Sequence, residues 1–129
     1  MLEPLAITES QIHRSIVNWL ALVLPNGSVV HHSPNEGKHK VQYRVLQKHF
    51  GVRAGWPDLE LFINPKFWKE PGAWSPIFLE IKKPKGRVSE NQRDVIAELK
   101  AVGCYAFVVH DIDEVREALS ELMELPDGG

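Results

Sequence analysis

The sequence predicts an α/β domain, a mixed central β-sheet flanked by helices, in the order helix, strand, short helix, strand, strand, helix, strand, helix. Three observations lead there. Apolar residues recur at helical spacing behind two capping-box patterns, Thr8 with Gln11 and Ser89 with Gln92. The segments 58–63 and 77–82 alternate with a period of two. The passage from residue 77 to residue 109 reads strand, helix, strand, which in one sheet makes a right-handed parallel crossover.

Taken in order, the first helix starts at its N-cap Thr8, carries Ile12, Ile16 and Leu20 on one face, and stops at Pro25-Asn26-Gly27. Residues 28–32 read as a short strand. Residues 40–50 have helical spacing through Val41, Val45 or Leu46, and His49, ending at Gly51. In 58–63, Asp58, Glu60 and Phe62 alternate against Leu59, Leu61 and Ile63. Residues 64–76 hold three prolines, a glycine and two tryptophans and form a loop. The strand 77–82 ends at Pro84 and Gly86. A helix opened by Ser89 packs through Val95, Ile96, Leu99 and Val102 and closes at Gly103. Residues 104–109 form a buried strand, and an amphipathic helix runs over 112–123.

At 129 residues, 43% hydrophobic and 25% charged, the chain suits one domain, 1–129, with a core of its own. The lone Cys104 allows no disulfide framework and no multi-cysteine zinc site. The acidic N-terminus does not read as a secretory signal, and the apolar stretch 15–24 is about half of what a membrane span needs. A cytoplasmic protein is expected. The net charge of −2 hides segregation. Lys38, Lys40, Arg44, Lys48 and Arg53 lie in a stretch without acids, as do Lys82, Lys83, Lys85 and Arg87. From residue 111 onward, seven acids face Arg116 alone. Such basic stretches offer a local positive surface to a polyanion, or else are solvated faces.

The chemistry concentrates on the strand 77–82. Phe78, Glu80 and Lys82 point one way and Ile77, Leu79 and Ile81 the other. A carboxylate and an ammonium inside an apolar strand are costly to bury unless paired or used. If 58–63 and 77–82 form an antiparallel hairpin, Asp58 at the start of one strand converges on Glu80 and Lys82 at the end of the other. Two carboxylates so placed repel by roughly 4 kcal/mol at ~4 Å with an effective dielectric near 20. One pKa rises, or a cation binds. With only oxygen ligands to hand, Mg²⁺ or Mn²⁺ fits, and the Ile81 carbonyl can be a third ligand. Glu9 begins the apolar stripe of the first helix, as a further metal ligand or as an acid facing the helix dipole. Gln92 lies on the stripe of its helix, as a site residue or as the capping partner of Ser89. Trp56, Phe67, Trp68 and Trp74 could stack on bases, or fill a core or a dimer seam. His31 and His32, without cysteine partners, do not read as a zinc site.

The string GVRAGWPDLEL, followed by FLEIKKPKGRVSENQ, resembles the PD-(D/E)XK nuclease superfamily. Within it the chain looks most like the virus-type replication-repair nuclease (VRR-Nuc) domains in their small stand-alone phage and bacterial form. Glu9 matches that family's N-terminal acid, HSPNEG around Asn35 resembles the loop before its short helix, Arg53-Ala54-Gly55 precedes the Pro-Asp, and Ser89 to Gln92 follows the Glu-x-Lys strand. The resemblance implies a restriction-endonuclease-like core and metal-dependent endonuclease activity on DNA. Glu9, Asp58, Glu80 and Ile81 would hold one or two Mg²⁺ or Mn²⁺ ions, with Lys82 and Gln92 completing the catalytic set. Lys38, Lys40, Arg44, Lys48, Arg53, Lys83, Lys85 and Arg87 would track the DNA backbone. It further implies a homodimer, suited to paired nicks in a four-way (Holliday) junction in DNA repair, with no organic cofactor and no membrane partner. The alternatives are a less selective nuclease of flaps or duplex ends, and a catalytically inactive DNA-binding module.

Overall fold

The Thr8 cap forms as its sequence requires. In the computed structural model, which describes residues 6–33 and 49–125, the Thr8 hydroxyl accepts from the Gln11 amide at 3.1 Å and the Gln11 side chain accepts from the Thr8 amide at 2.9 Å. Helix α1 (Glu9–Val23) then buries Ile12, Ile16, Leu20 and Val23. Four strands form: β1 (Val29–His32), β2 (Leu59–Phe62), β3 (Ile77–Ile81) and β4 (Tyr105–Val109). Helix α2 (Glu90–Ala101) joins β3 to β4, and α3 (Ile112–Leu122) follows β4. The predicted strands and last helix differ from these bounds by a residue at some ends. Of the helix predicted over 40–50, only His49 and Phe50 lie within the described residues.

The strands lie in the order β1-β2-β3-β4, with β1–β2 and β2–β3 antiparallel and β3–β4 parallel. The sheet is mixed because β2 and β3 are joined by a hairpin, whereas β3 and β4 need the α2 crossover.

Alternation divides the sheet into two apolar layers. Leu59, Leu61, Ile77, Leu79 and Ile81 pack with α1 and with Val115 and Leu119 of α3. Phe78 and Ala106 face the other way, against Val95, Ile96 and Leu99 of α2. A strand covered on both faces must be apolar throughout, and every residue of β3 is buried. Glu80 breaks that rule.

The loop 64–76 sits at the end of the hairpin remote from Asp58 and Glu80. The Trp68 and Trp74 indoles both donate to the Ile63 carbonyl, at 3.0 and 2.6 Å. The Lys69 amide donates to the Leu122 carbonyl at 2.9 Å and the Glu124 amide to the Phe67 carbonyl at 3.0 Å. Trp68 is buried in the core while Trp74 is exposed. Of the two readings of this aromatic stretch, the core role holds for Trp68, whose loop ties the chain after α3 to the sheet. Among the described residues no helix is long and apolar enough to cross a membrane.

Candidate active site

The hairpin register brings the acids together. Leu59 pairs with Leu79, so one step outward sets Asp58 beside Glu80. The Asp58 carboxylate reaches across and accepts the Ile81 amide proton at 2.7 Å, replacing the ladder bond that ends there. Glu80 is almost wholly buried, its side chain 3% exposed, and Lys82 extends beside it with Nζ 4.0 Å from Glu80 Oε1. Asp58, Glu80, Ile81 and Lys82 thus meet at one end of the sheet.

Gln92 caps its helix and also reaches Glu80. Its carbonyl oxygen accepts from the Ser89 amide at 2.8 Å while the Ser89 hydroxyl accepts from the Gln92 amide at 3.2 Å, closing the capping box. Because the cap uses the oxygen of the side chain, the NH₂ group is left facing the sheet, and it donates to Glu80 Oε1 at 3.0 Å. The cap therefore fixes which end of the amide meets the acid. Glu80 Oε2 is buried with no hydrogen-bond partner.

Electrostatics express the same crowding. Burial pushes the Glu80 carboxyl up to about 9, helped by the charge of nearby Asp58. Lys82 opposes this and the Glu9 charge adds to it. A carboxylate out of water beside another carboxylate is held neutral until a cation arrives.

Glu9 opens α1 and is exposed. Its charge is felt at Glu80, but among the described residues no three His, Cys, Asp or Glu side chains are gathered closely enough to hold a metal ion by themselves. The structure brings Asp58 and Glu80 together and leaves Glu9 at the rim.

Among the basic residues, Lys83, Lys85 and Arg87 are exposed on the segment leaving β3. Arg53 forms an ion pair with Glu98 of α2. Lys38, Lys40, Arg44 and Lys48 lie outside the described residues, as does Asn35. His31 pairs with Glu60 across β1 and β2 at 3.1 Å.

In the sequence, Gly55, three residues before Asp58, stands only as part of a family string, which does not give its packing role. It has φ +84°, and a Cβ there would lie 2.5 Å from the Asn91 carbonyl carbon and 2.7 Å from the Gln92 amide nitrogen. The loop carrying Asp58 thus rests directly on the first turn of α2, which carries Gln92. The sequence signal was a glycine where no helix or hairpin needed one. Gly55→Ala should cost about 1–3 kcal/mol, from the positive φ and the forced separation. Urea denaturation should show that loss, and cleavage should fall with it because Asp58 and Gln92 move apart.

A mixed sheet with two carboxylates and a lysine at the junction of its antiparallel and parallel halves is the arrangement expected of the nuclease class the sequence resembles. The comparisons agree. The family model for the VRR-NUC domain matches residues 5–111, and the chain belongs to that family. A solved structure described as a VRR_NUC domain protein is similar to this chain at 27% identity, covering 90% of this chain and 88% of its own, with a TM-score of 0.70. No curated protein matches the sequence. Membership makes the chain a nuclease domain, with DNA as its substrate class.

Proposed function

We propose that this chain is a Mg²⁺- or Mn²⁺-dependent DNA endonuclease that acts as a homodimer on branched DNA, four-way junctions first. The observation that carries the metal dependence is Glu80 Oε2, a buried carboxylate oxygen without a partner, beside the Asp58 carboxylate. An all-oxygen donor set with surplus negative charge fits a hard divalent cation. Asp58, Glu80 and the Ile81 carbonyl would hold it, with Glu9 closing in from α1. When bound, such an ion supplies a Lewis acid toward the phosphate and an acidified water.

The chain's own groups do the rest. Gln92 keeps Glu80 Oε1 occupied and leaves Oε2 as the oxygen free to take a ligand. The Ile81 amide holds the Asp58 carboxylate in place. Lys82 orients the attacking water or stabilises the charge that grows on the phosphate as the new P–O bond forms and the ester P–O bond breaks. Lys83, Lys85, Arg87 and Arg53 lie along the backbone of the nucleic acid, with Lys38, Lys40, Arg44 and Lys48 contributing from their own segment.

The test compares a synthetic four-way junction with matched duplex, flap and single strand, in Mg²⁺, Mn²⁺ and EDTA, alongside the mass of the protein in solution. Junction-selective, metal-dependent nicking by a dimer is expected. Equal cleavage of all four substrates would replace the junction reading with that of a general flap or duplex-end nuclease. Binding without cleavage in either metal would make the chain an inactive DNA-binding module.

A further inference from the structure

The acids of the site come from opposite ends of the chain's architecture, Glu9 from α1 and Asp58 from the start of β2, and something must set their separation. Two histidines connect the elements that carry them. His32, the last residue of β1, has Nδ1 3.0 Å from the Asp58 carbonyl oxygen. A carbonyl only accepts, so Nδ1 carries the proton and His32 is the donor. The same carbonyl also accepts the Ser33 amide proton at 3.0 Å. The backbone of Asp58 is therefore held by two donors, one at the end of β1 and one just after it.

The His32 ring continues the link in the other direction. Its partner across the strands is Leu59, whose side chain belongs to the layer under α1. There the His32 ring meets the ring of His13, with centroids 4.6 Å apart and planes at 88°. His13 follows Glu9 by four residues on α1, so the two side chains share a helix face. The contacts His13–His32 and His32–Asp58 thus link the helix face that carries Glu9 to the backbone of Asp58.

We propose that His13 and His32 are positioning residues that hold the first turn of α1, and with it Glu9, at a fixed distance from Asp58. The proposal rests on the reading of Asp58, Glu80 and Glu9 as cation ligands and assigns the pair the task of preorganising them. Groups that orient ligands without touching the ion commonly alter its affinity by about 10–100-fold.

The experiment measures Mn²⁺ binding to the full chain by calorimetry, for wild type, His13→Ala, His32→Ala, the double variant and Asp58→Ala, with melting temperatures taken in EDTA. Both histidine variants should bind Mn²⁺ about tenfold more weakly, and the double variant little worse than either, because the two rings act as one link. The Mn²⁺ concentration giving half-maximal cleavage should rise by the same factor, with kcat at saturating Mn²⁺ within a few-fold of wild type. A merely structural role would lower kcat with the melting temperature and leave affinity in the folded fraction unchanged. Should a variant fail to fold, substoichiometric Mn²⁺ on wild type should broaden the His13 and His32 ring resonances and spare the Trp74 indole at the far end of the sheet. Wild-type affinity in all histidine variants, with binding lost in Asp58→Ala, would overturn the positioning role alone. Unbroadened histidine rings would do the same. No Mn²⁺ binding by wild type would overturn the site reading and the positioning role together.

Discussion

Replacing Asp58 with Asn should leave a folded protein whose metal-dependent cleavage falls by at least about a thousandfold, equivalent to roughly 4 kcal/mol of barrier. The fold survives because the Asn carbonyl can still accept from the Ile81 amide, the bond that Asp58 makes at 2.7 Å. Removing the charge also relieves Glu80, whose carboxyl is raised in part by Asp58. The melting temperature in EDTA should therefore stay level or rise while activity collapses. Lys82→Ala should lose about 10²–10³ in kcat, the usual cost of removing one donor to a developing negative charge. Lys82→Arg should not restore it, since a planar guanidinium cannot occupy the place of a compact ammonium 4.0 Å from Glu80. Junction cleavage under single turnover, with binding measured separately, checks all three. Cleavage by Asp58→Asn within tenfold of wild type would remove the catalytic role from the acid pair.

Much of this site could be read from local pattern. The two capping boxes place the starts of α1 and α2, because a Thr or Ser with Gln three residues on satisfies two orphan amides wherever it occurs. Period-two alternation gives both strands of the hairpin and their faces. Antiparallel pairing then makes the approach of Asp58 to Glu80 a geometric consequence, which the Leu59–Leu79 register bears out. Family strings added the expectation that this end of the sheet is where nuclease chemistry sits.

What escaped the sequence is contact between elements that share no periodicity. Gly55 looks like any loop glycine until the α2 backbone is found where its side chain would be. Arg53 reads as one more basic residue, yet its guanidinium meets Glu98 of α2. His32 reads as half of a His-His pair on alternating faces, and only the fold reveals that it braces Asp58. Gln92 shows how a capping residue can also contact Glu80. One side-chain amide has an acceptor end and a donor end, and each serves a different partner. Gly55 and Arg53 share one feature: the residues before β2 lean on α2, so Asp58 and Gln92 are positioned by the same contact.

The largest divergence between stability and function should come from Glu80→Gln. An unfolded Glu titrates near 4.5, whereas Glu80 in the fold is pushed up to about 9. Between those values the native protein holds a proton that the unfolded chain has lost. In the metal-free protein Glu80's contribution to stability is thus full below pH 4.5, declines as pH rises, and is gone once pH passes about 9. The slope for one proton is about 1.4 kcal/mol per pH unit. The introduced glutamine amide mimics the protonated acid at every pH, with its oxygen available to the Gln92 NH₂ and its own NH₂ to Asp58. Denaturant titrations in EDTA should show wild type and Glu80→Gln similar near pH 5 and diverging steadily toward pH 9, the variant being the more stable. Cleavage should be lost in the same variant, because the oxygen without a partner has become an NH₂ group or has been turned away. A carboxylate that weakens the fold at neutral pH yet cannot be replaced without losing the reaction is kept for its chemistry. If Glu80→Gln instead proves less stable than wild type at pH 8, Glu80 serves as a structural ion pair with Lys82, and the reaction must be sought elsewhere on the molecule.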